Sequence, residues 1–401
     1  MQKPELLAPA GDIEKLKIAI IYGADAVYLG GQNFSLRAGA KNFDILTIAE
    51  GVEFAHKYGK KVYVAVNIFA HNQDLLKLPD YIKELQNTGI DAVIVSDPGV
   101  ISFFIEIAPE LELHLSTQAN TTNWASALFW KNQGIKRIVL ARELSLNEIK
   151  VIAEKIDVEL EVFVHGAMCM AYSGRCLLSN YLVKRDANQG HCIQPCRWKY
   201  RIIPEGYDEE IEVCEEQRGT YFMSSRDLCL IEHIPELIDA GIQSFKIEGR
   251  MKSVHYVSTV VKCYRHAIDS YFKGECVDLK YLLNEIAKVS NRKYTTGFIF
   301  GQAAELNQPD ERSEEIGVSF VGVVRGYDAN SGWGLVEQRG YFAIGDVLEV
   351  MQPKGENFRF KLEALYDING NFQKAAPHPK QMLKLPVEKE LAKWDIIRKI
   401  N

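Results

Sequence analysis

The stretch Gly23-Ala24-Asp25-Ala26-Val27-Tyr28-Leu29-Gly30 decides how this chain is read, because its pattern returns three more times. It reappears as Gly89-Ile90-Asp91-Ala92-Val93-Ile94-Val95-Ser96, as Gly134-Ile135-Lys136-Arg137-Ile138-Val139-Leu140-Ala141, and as Gly241-Ile242-Gln243-Ser244-Phe245-Lys246-Ile247-Glu248. In each copy an amphipathic helical stretch ends at the glycine, and a short apolar, β-branched run comes next. That order is a helix C-cap turning into a buried parallel strand. Further strands fit Glu5–Ala8, Lys61–Asn67, Glu112–Thr117 and Glu159–His165. Eight strands with helices between most of them predict an α/β fold, a closed (β/α)8 TIM-like barrel. An open doubly wound sheet is the competing arrangement.

In such a barrel, residues just after the strands crowd one face, where the chemistry sits. Asn67, Ser116, Gln118, Arg142, His165, Glu248 and Arg250 occupy such positions, with Asn120 close by and Arg37 in the loop after the second strand. His165 and Glu248 are the candidates for proton transfer. A lone histidine at a strand end is more often a hydrogen-bonded structural residue. Arg37, Arg142 and Arg250 are candidate clamps for carboxylates, and internal salt bridges with Glu143 or Glu248 are the alternative. Asn67, Ser116, Gln118 and Asn120 suit a base edge or the oxygens of a small co-substrate.

The seventh strand runs into a cysteine cluster, Cys169-x6-Cys176-x15-Cys192-x3-Cys196, which holds half of the eight cysteines. Clustered thiols without a secretory leader point to a metal centre before disulfides. Soft thiolates suit an iron–sulfur cluster or zinc, and four free or redox-active thiols are the third reading. The paired Cys-x2-Cys knuckles of common zinc sites are missing. The segment is also basic: Arg175, Lys184, Arg185, Arg197, Lys199 and Arg201 stand against Asp186 alone. Those cations either offset a thiolate-ligated cluster or meet an anionic substrate such as RNA phosphate. Tyr172 and Trp198 flank cysteines and could stack on a base or pack over the metal centre.

The chain has 401 residues, a net charge of −6, 47% hydrophobic and 25% charged residues, so it reads as a soluble globular protein without an overall basic coat. Neither an apolar leader after Met1-Gln2-Lys3-Pro4 nor a membrane-spanning run stands out, and the expected compartment is the cytoplasm. The barrel is expected over residues 1–301, with the cysteine-rich insertion near 167–219 and a polar linker at 302–315. Residues 316–401 read as short alternating strands with turn signals at Gly345-Asp346 and Asn369-Gly370, a small antiparallel β-barrel domain.

Around the first cysteines the chain reads Glu161-Val162-Phe163-Val164-His165-Gly166-Ala167-Met168-Cys169 and Gly174-Arg175-Cys176-Leu177-Leu178-Ser179. This resembles the peptidase U32 signature at Glu161, Phe163, Gly166, Cys169, Gly174, Cys176 and Ser179. His114-Leu115-Ser116-Thr117-Gln118-Ala119-Asn120 and Lys246-Ile247-Glu248-Gly249-Arg250 are similar to the same family. Within it the resemblance points to members that hydroxylate the wobble uridine of tRNA to 5-hydroxyuridine with prephenate. It implies a 4Fe-4S cluster on Cys169, Cys176, Cys192 and Cys196, prephenate as co-substrate, the tRNA anticodon loop as partner, and cluster-assembly machinery to load the site. The alternatives are a collagenase-like peptidase, as the family label suggests, and a metal-stapled RNA-binding protein without catalysis. The chain has no His-Glu-x-x-His motif and no Gly-x-Ser-x-Gly elbow for the former.

Overall fold

The computed structural model describes residues 2–35, 42–169, 171–189, 191–198, 226–290, 292–301 and 317–401. Strands β1 (Glu5–Pro9), β2 (Ala26–Gly30), β3 (Lys61–Val66), β4 (Ala92–Val95), β5 (Glu112–Leu115), β6 (Arg137–Val139) and β7 (Glu159–Ala167) pair in parallel in chain order. A short β8 (Asp227–Cys229) comes next, and β9 (Ser244–Ile247) then pairs in parallel with both β1 and β7. That double pairing closes an eight-stranded parallel barrel and excludes the open sheet. The four repeat glycines, Gly23, Gly89, Gly134 and Gly241, have φ between +77° and +112°, where a side chain would be strained. β8 runs antiparallel beside the end of β7 and carries β10 (Tyr294–Thr295) on its other edge; neither is expected from the sequence.

Strand periodicity divides the interior into two cores. Leu7, Tyr28, Tyr63, Ala65 and Ile94 fill the barrel lumen, while a larger cluster packs between strands and helices. One end of the lumen is polar. Arg137 pairs with Glu5 (2.5 Å) and Glu161 (3.4 Å), and Glu161 also holds Lys246 at 2.7 Å.

Past the barrel come helices Val254–Lys273 and Leu279–Ala287, capped by Ser253 and Asp278. Residues 318–400 build a seven-stranded antiparallel sheet curled round its own core, including a strand at Met382–Pro386 that the sequence pattern does not announce. This sheet docks on the barrel helices. Arg398, fully buried, bonds Glu285 at 2.8 Å and also Glu349, and the Tyr22 hydroxyl donates to the Met351 carbonyl at 2.7 Å. The linker expected at 302–315 lies outside the described residues, and among the described residues no helix is long and apolar enough to cross a membrane.

Candidate active site at the barrel mouth

A cavity opens where the strands end. Its floor is made by residues on or just after four strands, β3, β5, β6 and β9: Asn67, Ser116, Gln118, Arg142, Lys246, Glu248 and Arg250. Ser116 caps a 3₁₀ turn, Thr117–Ala119, which folds Gln118 back over the lumen. The Asn67 amide lies 3.4 Å from Ser116 Oγ, which lies 3.4 Å from Gln118 Oε1. Asn67 Oδ1 and Gln118 Nε2 are buried and have no hydrogen-bond partner among the described residues. Such atoms are costly to leave unpaired, and in a cavity a ligand or water completes their bonding.

The cations of the floor are held in place. Arg142 lies flat over Phe163 (3.8 Å from its ring centre), donates to the Ala167 carbonyl at 2.6 Å, and stands 3.7 Å from Glu248. Its contact with Glu248 is thus a long ion pair. Arg250 donates to Ser35 (2.9 Å) and Asn42 (2.8 Å). Lys246 sits over the Tyr28 ring at 4.6 Å while its ammonium bonds Glu161. Burial alone would raise the Glu161 carboxyl, but Lys246 and Arg137 outweigh it and hold the group below its usual range. Tyr28, Phe163 and Lys246 also line the cavity, although they lie within strands rather than just after them. Their signal in the sequence is strand parity: Lys246 and Glu248 share a face, as do Glu161 and Phe163.

That parity fails at His165, which corrects its expected place at the mouth. A register shift against β9 between Phe163 and His165 turns the ring away from the cavity. His165 lies instead among the rings of Tyr256, Tyr264 and Tyr294, at centroid distances of 5.2 to 5.9 Å, with Nδ1 3.4 Å from the Tyr264 hydroxyl. Burial, aided by Lys252, pushes its pKa down to about 3, so the ring stays neutral. Just past the bulge stands Gly166 (φ +108°), where a Cβ would meet the Glu248 carbonyl oxygen at 2.4 Å.

The opposite wall is the insertion after β7. Cys169, Cys176 and Cys192 line the cavity with Tyr172 and Gly174, while Cys196 lies in the turn Pro195–Arg197, off the lining. None of the four is in a disulfide. Ser179, buried under the wall, has its hydroxyl 3.8 Å from Cys192 Sγ and accepts from the Ile193 amide; the Gln194 amide points at the same sulfur at 3.4 Å. Among the described residues no three His, Cys, Asp or Glu side chains form a group that would hold a single metal ion. Four clustered cysteines, with Cys192 Sγ receiving an amide and a hydroxyl hydrogen bond, are a donor set that fits a 4Fe-4S cluster, whose potential such bonds set.

The remaining candidates fall in three groups. Asn120 adopts a left-handed conformation (φ +54°), donates to the Gln118 carbonyl at 2.7 Å, and braces the turn without lining the cavity. Arg175 stands 5.7 Å from the Phe69 ring centre, and Lys184 and Arg185 are exposed at the end of helix Leu178–Val183. Arg37, Lys199, Arg201 and the side chain of Arg197 lie outside the described residues. Tyr172 and Trp198 are both exposed on the wall. Among the described residues no histidine lines the cavity beside the cysteines, so no Cys–His nucleophile pair is assembled there.

Comparison with known proteins agrees with this architecture. Peptidase family U32 matches residues 11–309, and the peptidase family U32 C-terminal domain matches residues 317–398. The tRNA hydroxylation protein P1 of Bacillus subtilis is 46% identical, covering 99% of this chain and 95% of its own length. The tRNA hydroxylation protein P of Escherichia coli is 38% identical over 98% of this chain and 95% of its own. A 23S rRNA 5-hydroxycytidine synthase of Escherichia coli is 41% identical over 66% of this chain, which is 39% of that protein. By both matches, barrel and curled sheet together, this chain belongs to peptidase family U32.

Proposed function

We propose that this protein is a tRNA hydroxylase that converts the wobble uridine to 5-hydroxyuridine, with prephenate as co-substrate and a 4Fe-4S cluster on Cys169, Cys176, Cys192 and Cys196. The observation that carries the proposal is one cavity lined by three of those thiols, an unsatisfied amide pair and three cations. Relatives of nearly full length named for tRNA hydroxylation support it.

A wobble base sits in a single-stranded loop, so swinging it into a pocket costs little unstacking. The exposed Tyr172, Tyr181 and Trp198 beside Arg175, Lys184 and Arg185 give the wall an aromatic and basic face for the flanking nucleotides. Arg142 and Arg250, each fixed by its own hydrogen bonds, orient the two carboxylates of prephenate. Glu248, 3.5 Å from the Tyr28 hydroxyl, is the carboxylate placed to take the proton that leaves C5. A bound cluster supplies one-electron transfer beside the base. Gln118 and the wall close the cavity against bulk water.

The test is the anaerobically purified chain with undermodified tRNA, with and without prephenate, digested and read by nucleoside mass spectrometry. Iron, sulfide and visible absorption are measured on the same sample. 5-Hydroxyuridine formed only with prephenate and only by the brown protein is expected. A fully loaded protein that forms none, or one that instead cleaves peptides, overturns the assignment.

A further inference from the structure

Asn67, Ser116 and Gln118 form a hydroxyl-linked amide pair, and this inference rests on the reading of the cavity as a base pocket. In one polarity Asn67 Nδ2 donates to Ser116 Oγ, whose hydroxyl donates to Gln118 Oε1. Asn67 Oδ1 is then left as an acceptor and Gln118 Nε2 as a donor, both buried and unpartnered among the described residues. If both amides turn over and the hydroxyl swings, Gln118 donates to Ser116 and Ser116 to Asn67. The donor and the acceptor then change places. In either state the floor offers one donor and one acceptor.

Two acceptor oxygens, as a carboxylate carries, leave the acceptor end of this pair unmatched in both states. A pyrimidine matches it in both. Uracil offers the N3–H donor beside the O4 acceptor, and cytosine offers the N3 acceptor beside the N4 amino donor. Among the described residues nothing else fixes the polarity: Ser116 Oγ also accepts from the Gln118 backbone amide at 3.4 Å, which is compatible with both states. Gly174 lies against the same amide, since a Cβ there would stand 3.1 Å from Gln118 Nε2. The base edge is therefore read directly beneath the Cys169–Cys176 loop.

We propose that Asn67, Ser116 and Gln118 read the Watson–Crick edge of the target base as a reversible donor–acceptor pair, so that the enzyme hydroxylates cytidine as well as uridine at the same loop position. The base identity is then set by which nucleotide the RNA presents, not by the pocket. The hydroxycytidine synthase in the same family acts on the other pyrimidine by name, as a pocket of this type allows.

Two otherwise identical anticodon stem-loop tRNA transcripts, one with uridine and one with cytidine at the wobble position, are incubated with the cluster-loaded full chain and prephenate. Both 5-hydroxynucleosides are quantified by mass spectrometry. Turnover of the cytidine transcript with kcat/KM within about tenfold of the uridine one is expected, since a pocket of fixed polarity would reject it by roughly 10⁴-fold. Gln118→Leu should lower kcat/KM for both transcripts by about 10- to 100-fold, leaving the KM for prephenate unchanged. If that variant loses its iron, Asn67→Leu gives the same readout from the other end of the pair.

A cytidine transcript more than about a thousandfold slower overturns the proposal while leaving uridine hydroxylation standing. So does a variant that raises the KM for prephenate and not for tRNA. No product from either transcript sinks the hydroxylase reading itself, and this inference with it.

Discussion

The strand-end floor of the cavity and the cysteine-bearing wall facing it differ in how they are held. On the floor, Lys246 is held by Glu161, Arg250 is bonded to Ser35 and Asn42, and Arg142 sits over Phe163 and is hydrogen-bonded. These groups sit on or next to strands buried on both faces, and each is held in place by hydrogen bonds within the barrel. Among its described residues the wall has one short helix, Leu178–Val183, and 3₁₀ turns. Within that helix Ser179 is buried, while Tyr181 is 86% exposed, and Leu177 just before it is 65% exposed. A segment that buries so little does not fold on its own apolar contacts. The floor is a finished scaffold, whereas the wall would gain its stability from the cluster proposed on its cysteines. Binding energy at such a site is folding energy for the segment around it.

The strongest way to break the contrast is Cys176→Ala. Iron, colour and hydroxylation should be lost together, and limited proteolysis should cut within residues 169–198 at least tenfold faster. The urea midpoint of the barrel should hardly move. A variant that keeps its iron, or whose barrel unfolds along with the wall, would show that the two are not independent.

Glu161→Gln attacks the floor instead. It leaves the buried Lys246 ammonium without its carboxylate, and removing one member of a buried pair costs about 3–5 kcal/mol. Urea unfolding should show that loss in the global transition, with the insertion no more protease-sensitive under native conditions than in the wild type. A change under about 1 kcal/mol would mean that water or a neighbouring group compensates Lys246.

The floor is far more legible in the sequence than the wall, for a physical reason. Parallel strands impose period two and their glycine turns recur, so Asn67, Ser116, Gln118, Arg142, Glu248 and Arg250 can be placed at the mouth from the pattern alone. Lys246 escapes because a lysine within an apolar strand reads as an edge or surface residue unless its partner, 85 positions away, is known. His165 is misplaced because a β-bulge has no period. The one residue it adds at Val164 reverses the facing of the residues after it, and only Gly166 hints at it. On the wall, cysteine chemistry is readable without any periodicity, but turn-rich segments offer no rule for which side chains face inward.

His165 sharpens the comparison from behind the floor. Its folded pKa of about 3 lies far below the ordinary histidine value, so the unfolded chain takes up a proton first as the pH falls. Its neutral, buried state carries no penalty above about pH 6.5, and stability drops steadily from there down towards pH 3. At pH 5 the loss is about 2 kcal/mol for this one group. His255, stacked on Phe320 under the curled sheet and also lowered to about 3 by burial, adds a similar slope. His165→Phe should therefore flatten the decline between pH 6.5 and 5 by about 2 kcal/mol, leaving the His255 part. The Glu161 carboxyl, held low, is lost only at more acidic pH and does not enter this window. An unchanged slope would mean that His165 is protonated in the folded protein.

The smallest effect is expected where floor and wall touch. Gly174 has φ +76°, and a Cβ there would stand 3.0 to 3.1 Å from the Gln118 side chain. Alanine is strained in that conformation by about 1–2 kcal/mol, and part of the contact is relieved because Gln118 is the neighbour that moves. Gly174→Ala should thus cost the wall about 1 kcal/mol, a roughly fivefold rise in its local opening, with the urea midpoint of the barrel unchanged. Hydrogen exchange resolved to the 171–198 peptides measures this directly. Because the displaced group is the amide proposed to read the base, the same variant should raise the KM for tRNA more than the KM for prephenate. If exchange rises but both KM values stay put, the wall can loosen without disturbing Gln118, and the two sides of the cavity are coupled through the cysteines alone.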